Sequence, residues 1–151
     1  MTFQAHVITI MPEMYQALDY GITSRAQDAG LLTLNTINPR QWSARGYRQI
    51  DDKSFGGGPG MVMMYEPLKA AILNAKQVNP KAKCVYLSPQ GTMPTQSRLR
   101  ELAAQPLSII FIAGRYEGID ERIIEHHVDE EWSVGDLVLS GGDLAAMMYI
   151  D

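Results

Sequence analysis

Apolar and polar positions alternate along this chain with two different periods. Phe3 to Ile10 passes from alternation into a β-branched run (HVITI), and Leu31 to Ile37 (LLTLNTI) alternates again, so each predicts a strand. Between them, Pro12 suits the first turn of a helix, where its missing N–H would have no partner anyway. Helical character then runs with breaks towards Ala29, and Gly30 stops it. Tyr65 to Gln77 (YEPLKAAILNAKQ) places apolar residues at helical spacing, with Asn79-Pro80 as punctuation. Lys83 to Leu87 predicts a short buried strand, Thr95 to Gln105 a helix of mixed charge closed by Pro106, and Ser108 to Ala113 (SIIFIA) a core strand. Ile119 to His127 predicts a short helix whose early acids and late histidines suit the helix dipole. Glu130 to Val134 and Asp136 to Leu139 predict two further short strands, and Leu144 to Ile150 opens an apolar helix. Asn38 to Met61 lacks apolar periodicity and is dense in Gly, Asp, Arg and aromatics, which predicts a long loop of the functional or disordered kind.

Strands alternating with helices predict an α/β fold with a largely parallel sheet flanked by helices. With 151 residues, 46% of them hydrophobic, the chain suits one domain with a sizeable core. No stretch reaches the roughly 18 to 20 apolar residues of a membrane helix. The opening MTFQAHVITIMPEM has neither a basic n-region nor a small-residue cleavage site, so a cytoplasmic location is expected. The single cysteine, Cys84, lies in the apolar run KCVYL and is expected to be a buried, inert thiol. A net charge of −4 argues against nucleic-acid binding as the whole task of this chain. The last residues, GGDLAAMMYID, stop inside an apolar helix without a closing Gly, Asn or basic residue, which points to a fragment of a longer protein.

Chemistry gathers where the predicted strands end. Val85-Tyr86-Leu87 runs into SPQG, Phe111-Ile112-Ala113 into GRYEG, and Val138-Leu139 into SGGD. Ligands of open α/β sheets bind outside the carboxyl ends of strands, and glycine there lets a polar heterocycle approach the backbone. Neither G-x-G-x-x-G after the first strand nor G-x-x-x-x-G-K-[ST] occurs, which argues against a dinucleotide or a nucleoside triphosphate. FGGGPGM (Phe55 to Met61) follows a polar segment and reads as a lid over a bound molecule, or else as a plain surface loop.

Other groups read as structural. Neighbouring residues on one element point in different directions, so His126, His127, Asp129, Glu130 and Glu131 predict a solvated acidic face rather than a metal site. Trp132 is expected to pack beneath a loop, His6 to be a satisfied core or edge histidine, and Met61, Met63, Met64, Met147 and Met148 to fill core gaps. Asp120 can complement the helix dipole, with Arg122 paired to Glu117 or Glu121 at the surface. Alternatively, Glu117 and Arg115 form a charged pair that orients a purine or a cation; spacing leaves both readings open.

DDKSFGGGPGMVM, VYLSPQG, GRYEGIDER and EEWSVGDLVLSGGD, in this order and over essentially the whole chain, resemble the N-terminal domain of the bacterial tRNA (guanine-37 N1)-methyltransferase family. The resemblance implies a SPOUT-type fold with a deep C-terminal trefoil knot, which no sequence heuristic would give. It also implies a homodimer with the active site at the subunit interface, S-adenosylmethionine bound in the knot, and methylation of N1 of guanine 37 beside the anticodon of tRNA. Carried over residue by residue, Tyr86, Leu87, Ser88 and Pro89 match a first cofactor loop, on the adenine side. Gly114, Tyr116, Glu117 and Gly118 match a second, around the ribose and methionine parts. Val134, Gly135, Asp136, Leu137, Val138, Leu139, Ser140, Gly141 and Gly142 match a third, whose backbone holds the adenine.

Arg115 and Glu117 fit the family's placement of the target guanine, and Glu117 is the candidate Mg2+ contact. Gly57, Gly58, Pro59 and Gly60 resemble the substrate flap. The family typically shows SGGELPAM where this chain reads SGGDLAAM, so the start of the last helix lacks the usual proline. The family's general base is an aspartate in an interdomain linker beyond Asp151, followed by a basic tRNA-binding domain. The resemblance therefore implies that residues 1–151 form the cofactor-binding domain, able to bind S-adenosylmethionine and nearly inactive on tRNA. A non-catalytic RNA- or nucleotide-binding module and a knotted methyltransferase with another RNA target are the competing readings. DDKSFGGGPGM and GRYEGIDER favour the guanine-37 enzyme.

Overall fold

The computed structural model of the protein describes residues 2–44, 49–53 and 60–151. Its strands are β1 (Phe3–Ile8), β2 (Leu32–Ile37), β3 (Asp51–Lys53), β4 (Met61–Met63), β5 (Lys83–Thr92), β6 (Leu107–Ile112) and β7 (Glu130–Trp132). Five of them form one sheet in the order β2-β1-β6-β5-β7, and every neighbouring pair is parallel. The helices are α1 (Gly21–Asp28), α2 (Tyr65–Val78), α3 (Gln96–Ala103), α4 (Glu121–His127) and α5 (Asp143–Ile150).

Parallel sheets carry covering elements on both faces, so their central strands read as continuous apolar runs. SIIFIA is such a run. Ile110 and Ile112 of β6 point with Ile8 and Cys84 into a core under α2 and α4, which add Leu68, Ile72 and Ile123. Ile109 and Phe111 point the opposite way with Val7 and Val85, against Tyr15, Leu18, Trp132, Ala146 and Ile150. Thr95 and Asp120 stand just outside α3 and α4 as caps, accepting the N–H of Arg98 at 3.1 Å and of Arg122 at 2.9 Å.

Several sequence-based expectations are corrected. The segment after Pro12 is a 3-10 helix (Pro12–Asp19), and a regular α-helix begins only at Gly21. Asn38 to Met61 is not all loop: it holds a 3-10 turn (Pro39–Trp42) and β3, which pairs antiparallel with β4. β5 continues past Leu87 to Thr92; both residues pair with Trp132, so Ser88 to Gly91 form an irregularity within the strand. Asp136 to Leu139 is not a strand. Met63 is fully buried, but Met148 is 54% exposed and fills no core gap. α5 starts at Asp143 without the family's proline, with Ala145 and Ala146 buried.

His6 is buried on β1, its Nε2 2.6 Å from Asn79 Oδ1 and its Nδ1 3.2 Å from Asn35 Nδ2, as a satisfied core histidine should be. Cys84 is fully buried. Burial, then the nearby Asp129 carboxylate, pushes its thiol up to about 12. Because the thiolate is the reactive form, Cys84 should resist a thiol reagent at pH 8 and label stoichiometrically only in denaturant. Rapid labelling of the folded protein would contradict this placement.

Candidate functional site

The carboxyl ends of β5, β6 and β7 lie side by side, and the segments leaving them enclose a cavity of about 240 Å³. Tyr86 to Pro89 form one wall, Gly114 to Gly118 a second, and Trp132 to Val134 with Leu137 to Gly142 a third, with Ala145 of α5 behind. Three expected ligand loops therefore converge on one space, although the third follows the short β7 rather than a strand at Asp136 to Leu139.

Local chemistry explains how the loops are held. Gly118 has φ +129°, a region closed to side chains, and its C=O accepts the Met63 N–H at 3.0 Å. The Glu117 N–H donates to the Met61 C=O at 2.8 Å, so the end of β4 fastens the second loop. Tyr116 is the one non-glycine residue with positive φ among the described residues, at 63°. Such strain concentrates where a chain must present a group at a site. The Gly142 N–H donates to the Gly114 C=O at 2.9 Å, joining the third loop to the second. A Cβ on Gly142 would stand 2.9 Å from the Ala113 Cα, and one on Gly141 2.5 Å from Arg115 Cδ. These two glycines therefore also make room for neighbouring protein atoms. Tyr86 lies under the second loop, its Cε1 3.3 Å from a Cβ placed on Gly114. Burial, then Glu131 and Glu121, pushes its phenol up to about 12, so it remains neutral at physiological pH.

Of the residues matched to the cofactor loops, Tyr86, Leu87, Ser88, Pro89, Gly114, Tyr116, Glu117, Gly118, Val134, Leu137, Val138, Leu139, Ser140, Gly141 and Gly142 line the cavity, as does Arg115. Gly135 and Asp136 do not. Gly135 instead takes φ +135° in a turn where Ser133 Oγ accepts its N–H at 3.0 Å. Trp132, Ser133 and Ala145 line the cavity without having been assigned to it. Trp132 is packing, as expected, but in the core: its ring stands against Phe111 of β6 and Tyr149 of α5. Of the expected flap, Gly57, Gly58 and Pro59 fall outside the described residues; Gly60 is exposed.

The charged groups pair differently from either reading of the sequence. Arg115 does not pair with Glu117; its Nε and Nη2 donate to Asp143 Oδ2 at 3.0 and 2.8 Å. Arg122 pairs with Asp120 at 2.9 Å and lies over the Tyr65 ring, not against Glu117 or Glu121. The Arg122 guanidinium, foremost through its hydrogen bond, holds the Asp120 carboxyl below the usual carboxylate range. The acidic stretch is divided among separate partners: Glu130 takes Lys83, Asp129 takes the Cys84 N–H, and His127 Nε2 lies 3.4 Å from the Tyr65 hydroxyl. A larger cavity of about 410 Å³ lies beside Trp42, Val62 and Tyr65, but Asp120 and Arg122 there already satisfy one another.

Apolar walls from Leu87, Val134, Leu139 and Ala145, two glycine-rich loops and a polar edge of Arg115, Glu117 and Ser140 suit a flat heterocycle with a polar tail. Comparison with known proteins gives the family. The protein from Legionella pneumophila (strain Philadelphia 1) called tRNA (guanine-N(1)-)-methyltransferase is 59% identical over 152 residues, covering 100% of this chain and 61% of its own length. The protein of the same name from Pseudomonas aeruginosa (strain LESB58) is 57% identical over 148 residues, covering 96% of this chain and 58% of its own length. The chain thus spans about three-fifths of the length of these curated relatives. The crystal structure of tRNA (m1G37) methyltransferase from Aquifex aeolicus superposes with a TM-score of 0.87 at 34% identity, covering 100% of this chain and 68% of that one. A family model described as tRNA (Guanine-1)-methyltransferase TrmD matches residues 2–151, and the chain belongs to that family.

Proposed function

We propose that this chain is the S-adenosylmethionine-binding domain of a methyltransferase acting on N1 of guanine 37 in tRNA. The convergence of three strand-end loops on one cavity, in a chain of this family, carries the reading. The names of the relatives and of the solved structure support the same substrate.

S-adenosylmethionine, when bound, supplies an activated methyl group on its sulfonium. Around it, Leu87, Val134, Leu139 and Ala145 exclude water, and the loop backbones of Gly114 to Gly118 and Leu137 to Gly142 offer polar groups to a heterocycle. Arg115 and Glu117 stand at the polar edge, where a guanine would present its own donors and acceptors. The nucleophilic N1 must approach the methyl carbon in line while its proton leaves to a base. Glu117 is the one carboxylate in the cavity lining among the described residues. We assign it to guanine placement and a Mg2+ contact rather than to the base, which the family resemblance puts in a linker beyond Asp151. A Mg2+ ion held by a single carboxylate would take its other ligands from substrate and water. The trefoil knot, the homodimer and a cytoplasmic location belong to the same reading. Leu144 and Met148, one turn apart on α5, and Val138 at 86% exposure offer an apolar surface for a partner subunit.

Calorimetric titration of this chain with S-adenosylmethionine should give one saturable site; a folded protein that shows neither heat nor thermal stabilisation sinks the cofactor assignment. Completed with the C-terminal part of the Legionella pneumophila relative, the chain should methylate a guanine-37 tRNA and spare one differing only at position 37. The chain alone should be at least ~100-fold slower, the scale of a lost general base. Comparable rates with and without the added part would refute the division of labour.

A further inference from the structure

Three buried residues, Thr9, Tyr15 and Asp143, line none of the cavity but hold Arg115, which does. Asp143, the first residue of α5, is fully buried, and its carboxylate accepts hydrogen bonds from three distant parts of the chain. Oδ1 accepts from Thr9 Oγ1 at 2.6 Å, just past β1, and from the Tyr15 hydroxyl at 2.7 Å, in the 3-10 helix. Oδ2 accepts from Arg115 Nε and Nη2. Thr9 is fully buried and Tyr15 only 3% exposed. Burial, then the Asp143 charge, pushes the Tyr15 phenol well above its ordinary range, so it stays protonated and keeps a proton to donate to Asp143.

On Arg115 the consequence is directional. A guanidinium on a flexible stem has many rotamers, and a carboxylate gripping Nε and Nη2 selects one. Met14 Sδ, 3.1 Å from Nη2, closes the same edge. Nη1 is left on the side of Ser140, whose Oγ lies 3.4 Å away, and both residues line the cavity. Gly141 leaves the room this path needs, since any Cβ there would meet the Arg115 side chain.

We propose that Asp143 is a positioning residue for methyl transfer: held by Thr9 and Tyr15, it fixes Arg115 so that its Nη1 edge faces the reacting base. The assignment rests on the function proposed above and adds a residue to it that touches neither cofactor nor substrate. The alternative is a plain anchor that ties α5 to β1 and the 3-10 helix.

The two differ in a double-mutant cycle on the chain completed with the Legionella pneumophila C-terminal part. Asp143→Asn should lower kcat about 100-fold, the scale of a misplaced orienting group, while cofactor affinity changes less than about three-fold. On an Arg115→Ala background the same change should cost less than about three-fold, because residues acting through one another are not additive. Asp143→Glu should restore kcat to within about ten-fold, since a carboxylate returns to the guanidinium. If Asp143→Asn does not fold, Tyr15→Phe keeps the ring and removes one Oδ1 donor; it should slow the Arg115 enzyme and leave the Arg115→Ala enzyme unchanged. Equal losses on both backgrounds, or a loss seen only in stability and cofactor affinity, overturn the positioning role. A completed enzyme that binds cofactor yet methylates no tRNA overturns the proposed function and this assignment together.

Discussion

Gly91→Ala is expected to abolish the cavity by preventing β7 from docking. A Cβ at Gly91 would stand 2.5 Å from the backbone carbon of Glu131, 2.6 Å from its carbonyl oxygen and 2.7 Å from the backbone carbon of Trp132. These atoms cannot swing aside as a side-chain tip can. β7 is fixed from both directions, since Trp132 pairs with both Leu87 and Thr92, and the Ser133 N–H donates to the Thr92 C=O at 2.8 Å. One methyl group must therefore push apart two paired strands, at a cost of ~3 kcal/mol or more, at or above the upper range for overpacking. Ser133 and Val134, the start of the third wall, follow directly from β7, so cofactor binding should disappear with the pairing. Urea unfolding and calorimetry on the same variant check both effects. A variant with the wild-type midpoint that still binds S-adenosylmethionine would show that β7 can move away at little cost.

Gly91 also marks the boundary of what could be read from the sequence. Its role depends on β7, which lies some forty residues further along and is only three residues long. The core strands were legible because burial on both faces leaves an uninterrupted apolar run, as in SIIFIA. α2 was legible because Leu68, Ala71, Ile72 and Ala75 repeat at helical spacing and all face the core. The β3–β4 hairpin was not, since strands of three residues contain too few positions to display a period. Val138 and Leu139 misled in the opposite direction. Apolar side chains there line a cavity and its rim rather than a sheet face, and Val138 is 86% exposed.

Pairing across the chain is the other part that stayed hidden. Arg115 and Glu117 are neighbours in sequence, yet the carboxylate that Arg115 meets is Asp143, brought there by the joining of the second and third loops. Nothing local in the sequence ties the acid that ends SGGD to an arginine 28 residues earlier. The loops themselves were legible, because glycine-rich segments leaving strands are recognisable without knowing which of them meet.

Trp132→Ala should be the most costly truncation of a single side chain at the site. The indole is 2% exposed and stands edge-on to Phe111, 6.2 Å between ring centres, and to Tyr149 at 5.2 Å. Its Nε1 donates to Glu130 Oε1 at 3.1 Å, and the residue also lines the cavity, so one side chain serves both core and wall. Removing it leaves a void that the rigid sheet behind Phe111 cannot close, and such losses run to about 3–5 kcal/mol. That is a large share of the 5–15 kcal/mol typical of a whole domain, about. The urea midpoint should fall with an unchanged slope, because the same surface is exposed on unfolding. Trp132→Phe should fall between the two, keeping an aromatic edge for Phe111 and Tyr149 while losing the Glu130 hydrogen bond. The order matters as much as the size. If cofactor affinity fell in Trp132→Phe while stability stayed at the wild-type value, the indole would be a ligand contact and not a support. If both fall together, in proportion to the volume removed, the wall of the cavity is held by the core of the sheet.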